Sequence, residues 1–186
     1  MVYKMNIAGL DRELPLCPVA EDFYIGAFIM FGDAELTVAS ARALLDRVKD
    51  IEYDYLLTAE AKSIPLIHEM ARQSNAKKYF IARKSDKAYM PNPLRVTVRS
   101  ITTLHTQQLI IGSDDAELMK GKRILIVDDV ISTGESLRAL ETLVDKAGGT
   151  VAGRVAVLAE GDAAARTDII FLEKLPLFHA DGSILE

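Results

Sequence analysis

Arg123-Ile-Leu-Ile-Val-Asp-Asp-Val-Ile-Ser-Thr-Gly-Glu-Ser136 is the stretch that decides the fold. Ile124 to Val127 form an apolar run short enough for a fully buried strand. Asp128 and Asp129 follow, so two carboxylates stand at the carboxyl end of that strand. Ser132-Thr133-Gly134 then offers hydroxyls and unpaired backbone N–H groups just before a helical pattern, a ready site for an anion. Acids for a diol and a loop for a phosphate read together as a site for a phosphorylated sugar. Adjacent acids alone are often a solvated loop, and a lone Ser or Thr before a helix is usually an N-cap. Their combination at the carboxyl edge of a buried strand, where open α/β sheets bind ligands, favours function.

Working outward, residues from about Glu135 to Ala147 carry Leu137, Leu140, Leu143 and Val144 on one helical face, and Gly148-Gly149 marks the stop. Val151 to Leu158 reads as the next strand. Upstream, Val38, Ala41, Leu44, Leu45 and Val48 recur at helical spacing between about Ala34 and Lys49. Tyr53 to Leu57 reads as a strand, Thr58 to Ser63 as a loop, and Pro65 as the first turn of a helix. Lys78 to Ala82 supplies another short strand. Strands alternating with helices predict an α/β fold with a mostly parallel twisted sheet flanked by helices. From Leu94 to Ile111 the period changes to two, predicting a β-hairpin with a polar turn near Thr102 to Thr106. It suits a lid or a cover for the sheet edge equally well.

The chain has 186 residues, 49% hydrophobic and 26% charged, which suits a single compact domain over residues 1–186. A formal charge of -5 argues against wholesale nucleic-acid binding but leaves small anionic ligands open. Cys17 is the lone cysteine and cannot form an internal disulfide. Asp11, Arg12 and Glu13 interrupt any secretory signal, and the apolar stretch Ile25 to Phe31 is far shorter than the roughly 20 residues a membrane helix needs. A cytoplasmic protein without membrane attachment is expected. Other signatures fail: His68-Glu-Met-Ala-Arg72 lacks the second His of a zinc-binding helix, and Gly121-Lys122-Arg123 is not a nucleoside-triphosphatase P-loop.

The segment from Arg123 to Ser136 resembles the phosphoribosyl-diphosphate-binding motif of the type I phosphoribosyltransferases. By that resemblance Asp128 and Asp129 take the ribose hydroxyls and are the catalytic residues, and Ser132, Thr133, Gly134, Glu135 and Ser136 wrap the 5′-phosphate. Purine members show Gly-Gly-Thr where this chain has Gly134-Glu135-Ser136. Leu57-Thr-Ala-Glu-Ala-Lys-Ser63 looks like the pyrophosphate loop of the adenine and xanthine enzymes, with Ala59, Glu60, Ala61 and Lys62 as pyrophosphate-binding positions. Lys62 and Ser63 depart from the usual Arg-Gly or Gly-Gly. Phe80 to Lys87 resembles the Arg-Lys-x-x-Lys element of the purine branch and adds Arg83, Lys84 and Lys87 to the pyrophosphate end.

The resemblance implies a flexible lid hairpin at residues 88–112 and a small hood from the chain's two ends, with residues 1–35 contributing. It implies transfer of the 5-phosphoribosyl group from phosphoribosyl diphosphate to a purine base, with Mg²⁺ as cofactor, a direct metal role for Asp128 and Asp129 left open, and a homodimer as the assembly. Xanthine enzymes place a Lys after the strand that here ends near Leu158, whereas this chain has Glu160. An ionised Glu accepts hydrogen bonds from amino or ring N–H groups, which puts adenine first and xanthine second. The rival reading is a non-catalytic regulator that senses phosphoribosyl diphosphate.

Overall fold

The computed structural model describes residues 1–99 and 106–185. In chain order the strands β1 (Val2–Ile7), β2 (Leu10–Ala20) and β3 (Phe23–Gly26) precede helix α1 (Ala34–Arg47), β4 (Tyr55–Ala59), α2 (Ile64–Gln73) and β5 (Phe80–Ala82). The hairpin β6 (Leu94–Arg99) and β7 (Thr106–Ile111) follows, then α3 (Ser113–Met119), β8 (Arg123–Ile131), α4 (Glu135–Lys146) and β9 (Thr150–Glu160). A 3-10 turn, Gly161–Ala165, leads into β10 (Ile170–Leu175), β11 (Leu177–Phe178) and β12 (Ile184–Leu185).

Five strands in the order β10-β9-β8-β4-β5 pair in parallel, as the alternation of strands and helices predicts. β8 lies at the centre, and its alternate side chains feed two cores. Leu125 and Val127 pack with Leu36, Leu44, Leu66 and Met70 of α1 and α2. Ile124 and Ile126 pack on the other side with Leu137, Leu140 and Leu143 of α4. A strand buried on both faces must be apolar at every position, which is why Ile124 to Val127 shows no alternation. The hairpin turns Val96, Leu109 and Ile111 into the second core, so its base is anchored there. The expected turn, including His105, lies outside the described residues apart from Thr106.

The remaining strands form an antiparallel sheet in the order β1-β2-β3-β11-β12, built from the chain's two ends. Sequence periodicity did not predict β1, β2 or β3, and within β2 Pro15 and Pro18 argue against a strand. β2 resolves the conflict by changing partners. Residues 10–15 pair with β1 and residues 16–20 pair with β3, so neither proline must serve two ladders at once.

Several boundaries differ from the sequence expectation. β8 runs on to Ile131, pairing Val130 with Leu158 and Ile131 with Ala159, so both aspartates lie within the strand rather than after it. β4 begins at Tyr55 and takes in Thr58 and Ala59, leaving residues 60–63 as the loop. β9 extends to Glu160, and β5 begins only at Phe80. The added residues at the carboxyl ends of β4, β8 and β9 pair with parallel neighbours, information a local sequence window does not hold.

Candidate functional site

Side chains alternate along β8, so Asp128 follows Ile126 towards α4 and Asp129 follows Val127 towards α2. Asp128 accordingly joins residues 130–137 around a small cavity of about 110 Å³ at the start of α4. Asp129 is 4% exposed. Ser63, at the end of the loop after β4, bridges the two. Its hydroxyl lies 2.8 Å from Asp128 Oδ1 and 3.0 Å from Asp129 Oδ1, and it accepts the Asp129 N–H at 2.9 Å.

Burial, then the charge of Asp129 and a hydrogen bond with it, push the Asp128 carboxyl well above the ordinary carboxylate range, to about 7. Two carboxylates in one partly dry site resist double ionisation. Lys62 relieves part of this: its Nζ stands 3.1 Å from Asp129 Oδ2. That contact is an ion pair without hydrogen-bond geometry, since Asp129 Oδ2 is buried and has no hydrogen-bond partner.

The loop expected from the sequence to take the phosphate comprises Ser132, Thr133, Gly134, Glu135 and Ser136. Gly134 adopts φ +76 immediately before α4, a left-handed backbone that favours glycine, and no side chain caps the helix there. Gly134, lacking a side chain, supplies no cap to the start of α4. The Glu135 N–H leans on Thr133 Oγ1 at 3.4 Å.

The other predicted loops meet one another before they meet this pair. Glu60 accepts the Lys84 N–H at 2.9 Å and pairs with Arg83 Nη2 at 3.1 Å. Those contacts hold the Glu60 carboxyl below its usual range, the Lys84 N–H having the largest effect. Arg83 also donates to Tyr89 Oη at 2.9 Å, and its backbone exchanges hydrogen bonds with Ile110 at the base of the hairpin. Lys87 turns to Ser85 Oγ at 3.0 Å, away from the aspartates. Ala59 and Ala61 carry no polar side chain and contribute backbone only.

Glu160 joins the site from the end of β9. Burial pushes its carboxyl up, while a hydrogen bond with the Ser132 side chain and the nearby charge of Lys62 pull it down. Gly161 then closes against the antiparallel sheet: a Cβ there would stand 2.9 Å from Leu177 Cδ1. Asp128, Asp129, Ser63, Lys62, Ser132 and Glu160 thus form one continuous cluster. Sequence reasoning missed the bridging role of Ser63, which it took as a merely small residue. It also missed Arg166, whose guanidinium lies against Gly134.

Among the described residues no three His, Cys, Asp or Glu side chains gather as a metal cage. The two aspartates are a donor set that fits Mg²⁺ held chiefly by substrate oxygens and water. Also among the described residues, no helix is long and apolar enough to cross a membrane.

A family model described as a phosphoribosyl transferase domain matches residues 34–180. An adenine phosphoribosyltransferase of Kosmotoga olearia is 27% identical over 154 residues, covering 83% of this chain and 87% of that protein. A hypoxanthine/guanine phosphoribosyltransferase of Methanocella paludicola is 30% identical over 113 residues, which span 61% of this chain and 55% of the relative. The solved structure of adenine phosphoribosyltransferase from Thermoanaerobacter pseudethanolicus superposes with a TM-score of 0.65 at 24% identity, covering 76% of this chain and 82% of its own. This last likeness shows the fold.

Proposed function

Because the chain belongs to the phosphoribosyl transferase domain family of type I phosphoribosyltransferases, we propose that it transfers the 5-phosphoribosyl group of phosphoribosyl diphosphate to a purine base, adenine first, in purine salvage. The observation that carries this reading is the junction of β8 and α4, where Asp128 lines the cavity of residues 130–137 and is bridged by Ser63 to Asp129. The aspartates anchor the ribose hydroxyls, and the loop from Ser132 to Ser136 takes the 5′-phosphate. Lys62 and the Glu60–Arg83–Lys84 group face the diphosphate, with Lys87 at the periphery.

As the leaving group departs, the anomeric carbon gains positive character and the diphosphate gains negative charge. Fixed charges of the right sign lower that barrier without reorganising. The negative charge shared by the Asp128–Asp129 pair favours the cationic sugar, and Lys62, 3.1 Å from Asp129, can exchange it for the diphosphate. Mg²⁺, when bound, neutralises diphosphate charge, with Asp128 and Asp129 as the residues to hold it. We read the antiparallel sheet as the hood over the acceptor and the β6–β7 hairpin as the lid that keeps water from the activated sugar. Glu160 supports an amino-bearing base, because its carboxylate accepts hydrogen bonds and cannot donate to a carbonyl. The adenine phosphoribosyltransferase of K. olearia, similar over most of both chains, supports the same choice.

Incubating the purified protein with phosphoribosyl diphosphate, Mg²⁺ and each purine in turn, and following pyrophosphate release, tests the proposal. Base-dependent release, greatest with adenine, is the expected result. Tight donor binding with no base-dependent release would instead favour the sensing regulator.

A further inference from the structure

Arg166 reaches the phosphate loop from a part of the chain with no obvious connection to it. It ends the 3-10 turn after β9, its N–H closing on Ala163 O at 3.1 Å. Asp168 grips the guanidinium at two points, Nε–Oδ1 at 2.9 Å and Nη2–Oδ2 at 2.7 Å. A bidentate pair of this kind fixes the plane of the group and so aims the third nitrogen. That nitrogen, Nη1, lies 2.6 Å from where a Cβ on Gly134 would stand. Gly134 is therefore held to glycine twice, by its φ of +76 and by the guanidinium packed on it.

The electrostatics give this contact meaning. α4 presents the positive end of its dipole at Gly134, and a cation beside such an end is unfavourable. Asp168 offsets that repulsion when the loop is empty, and a phosphate dianion in front of the loop reverses its sign. Arg166 is not among the residues lining the cavity of Asp128 and residues 130–137, so it acts from behind the loop rather than on the anion itself.

We propose that Arg166, oriented by Asp168, is a positioning residue for the donor's 5′-phosphate: it fixes the shape of the loop at Gly134 and adds positive potential behind it. The proposal rests on the reading that this loop takes that phosphate. It also gives the segment between β9 and β10 a part in donor binding, although Glu160 at its start faces the acceptor.

Calorimetric titration with ribose 5-phosphate, paired with steady-state kinetics, tests it. Arg166→Gln should bind ribose 5-phosphate about tenfold more weakly, a loss of ~1.4 kcal/mol. Arg166→Lys should recover part of that loss, and Asp168→Asn should fall between wild type and Arg166→Gln. The KM for donor should rise while the KM for base stays unchanged, a split that general loosening of the fold would not produce. Wild-type affinity for ribose 5-phosphate in Arg166→Gln would overturn the proposal, as would equal rises in both KM values. If Arg166→Gln does not fold, Arg166→Lys carries the same decision, wild-type affinity again being the overturning result. Failure of the wild-type protein to bind ribose 5-phosphate would instead remove the phosphate-loop reading on which the proposal stands.

Discussion

The hydroxyl of Ser63 carries one proton and faces two carboxylates, so it cannot satisfy both at once. The raised Asp128 carboxyl completes the arrangement by holding a proton of its own near neutrality. Its effect on stability has a definite sign. A carboxyl whose folded value lies above the unfolded value, about 3.9, stabilises fully below that value and loses its contribution as pH rises through about 7. Asp128→Asn keeps an acceptor for Ser63 and removes the repulsion. Its melting temperature should therefore gain on wild type between pH 5 and pH 8, by roughly 2–4 °C for each kcal/mol released. Turnover should fall in the same variant and vanish in Asp128→Asn with Asp129→Asn; normal activity in the double variant would remove the proposed site. Asp128, Asp129 and the loop from Ser132 to Ser136 stood out because they are contiguous and directly succeed the apolar run Ile124 to Val127. Arg166 did not, since Arg-Thr-Asp in isolation reads as solvated surface and only the fold brings it to Gly134.

The loop after β4 is held from two directions, by Glu60 to Arg83 and Lys84 after β5 and by Lys62 to Asp129 within β8, the strand's other neighbour. An element tied on both sides keeps its backbone ready for a polyanion. Glu60→Gln loosens the first tie, leaving Arg83 with a weaker acceptor. Hydrogen bonds involving a charged group are worth about 1.5–3 kcal/mol, less where they are partly exposed as here. Inhibition by pyrophosphate should therefore weaken about fivefold in Glu60→Gln, with donor-independent base binding unchanged. Unaltered pyrophosphate inhibition would show that Glu60 does not organise this end. At this scale the helices were the most legible features: Leu137, Leu140, Leu143 and Val144 all face the core as their spacing predicts. Strand limits were less so, because β4, β8 and β9 extend where a neighbour offers a ladder. β2 was hidden by prolines that only its change of partner accommodates.

Across the whole molecule, the chain builds two sheets, and the proposed function assigns donor binding to the parallel one and cover for the acceptor to the antiparallel one. The parallel sheet carries the aspartates and anion loops, and the antiparallel sheet meets it where Gly161 packs on Leu177. Phe178, fully buried beside Tyr3 with ring centroids 4.9 Å apart, ties the chain's ends together in that second sheet. Truncating a buried Phe to Ala costs about 3–5 kcal/mol. Phe178→Ala should accordingly lower thermal stability and raise the KM for base, with ribose 5-phosphate affinity retained; equal loss of both ligands would place the phosphate loop under the hood's control. The sequence announced the parallel sheet through its strand-helix alternation, whereas the hood depends on pairing between β3 and β11, near opposite ends of the chain. That pairing also sets an order of birth. On a ribosome adding roughly 5–20 residues per second, β3 must wait through the synthesis of every parallel strand before β11 emerges to join it. The antiparallel sheet is thus the last to close. A nascent chain stalled after β10 would already hold the donor loops and still lack the central pairing of its hood.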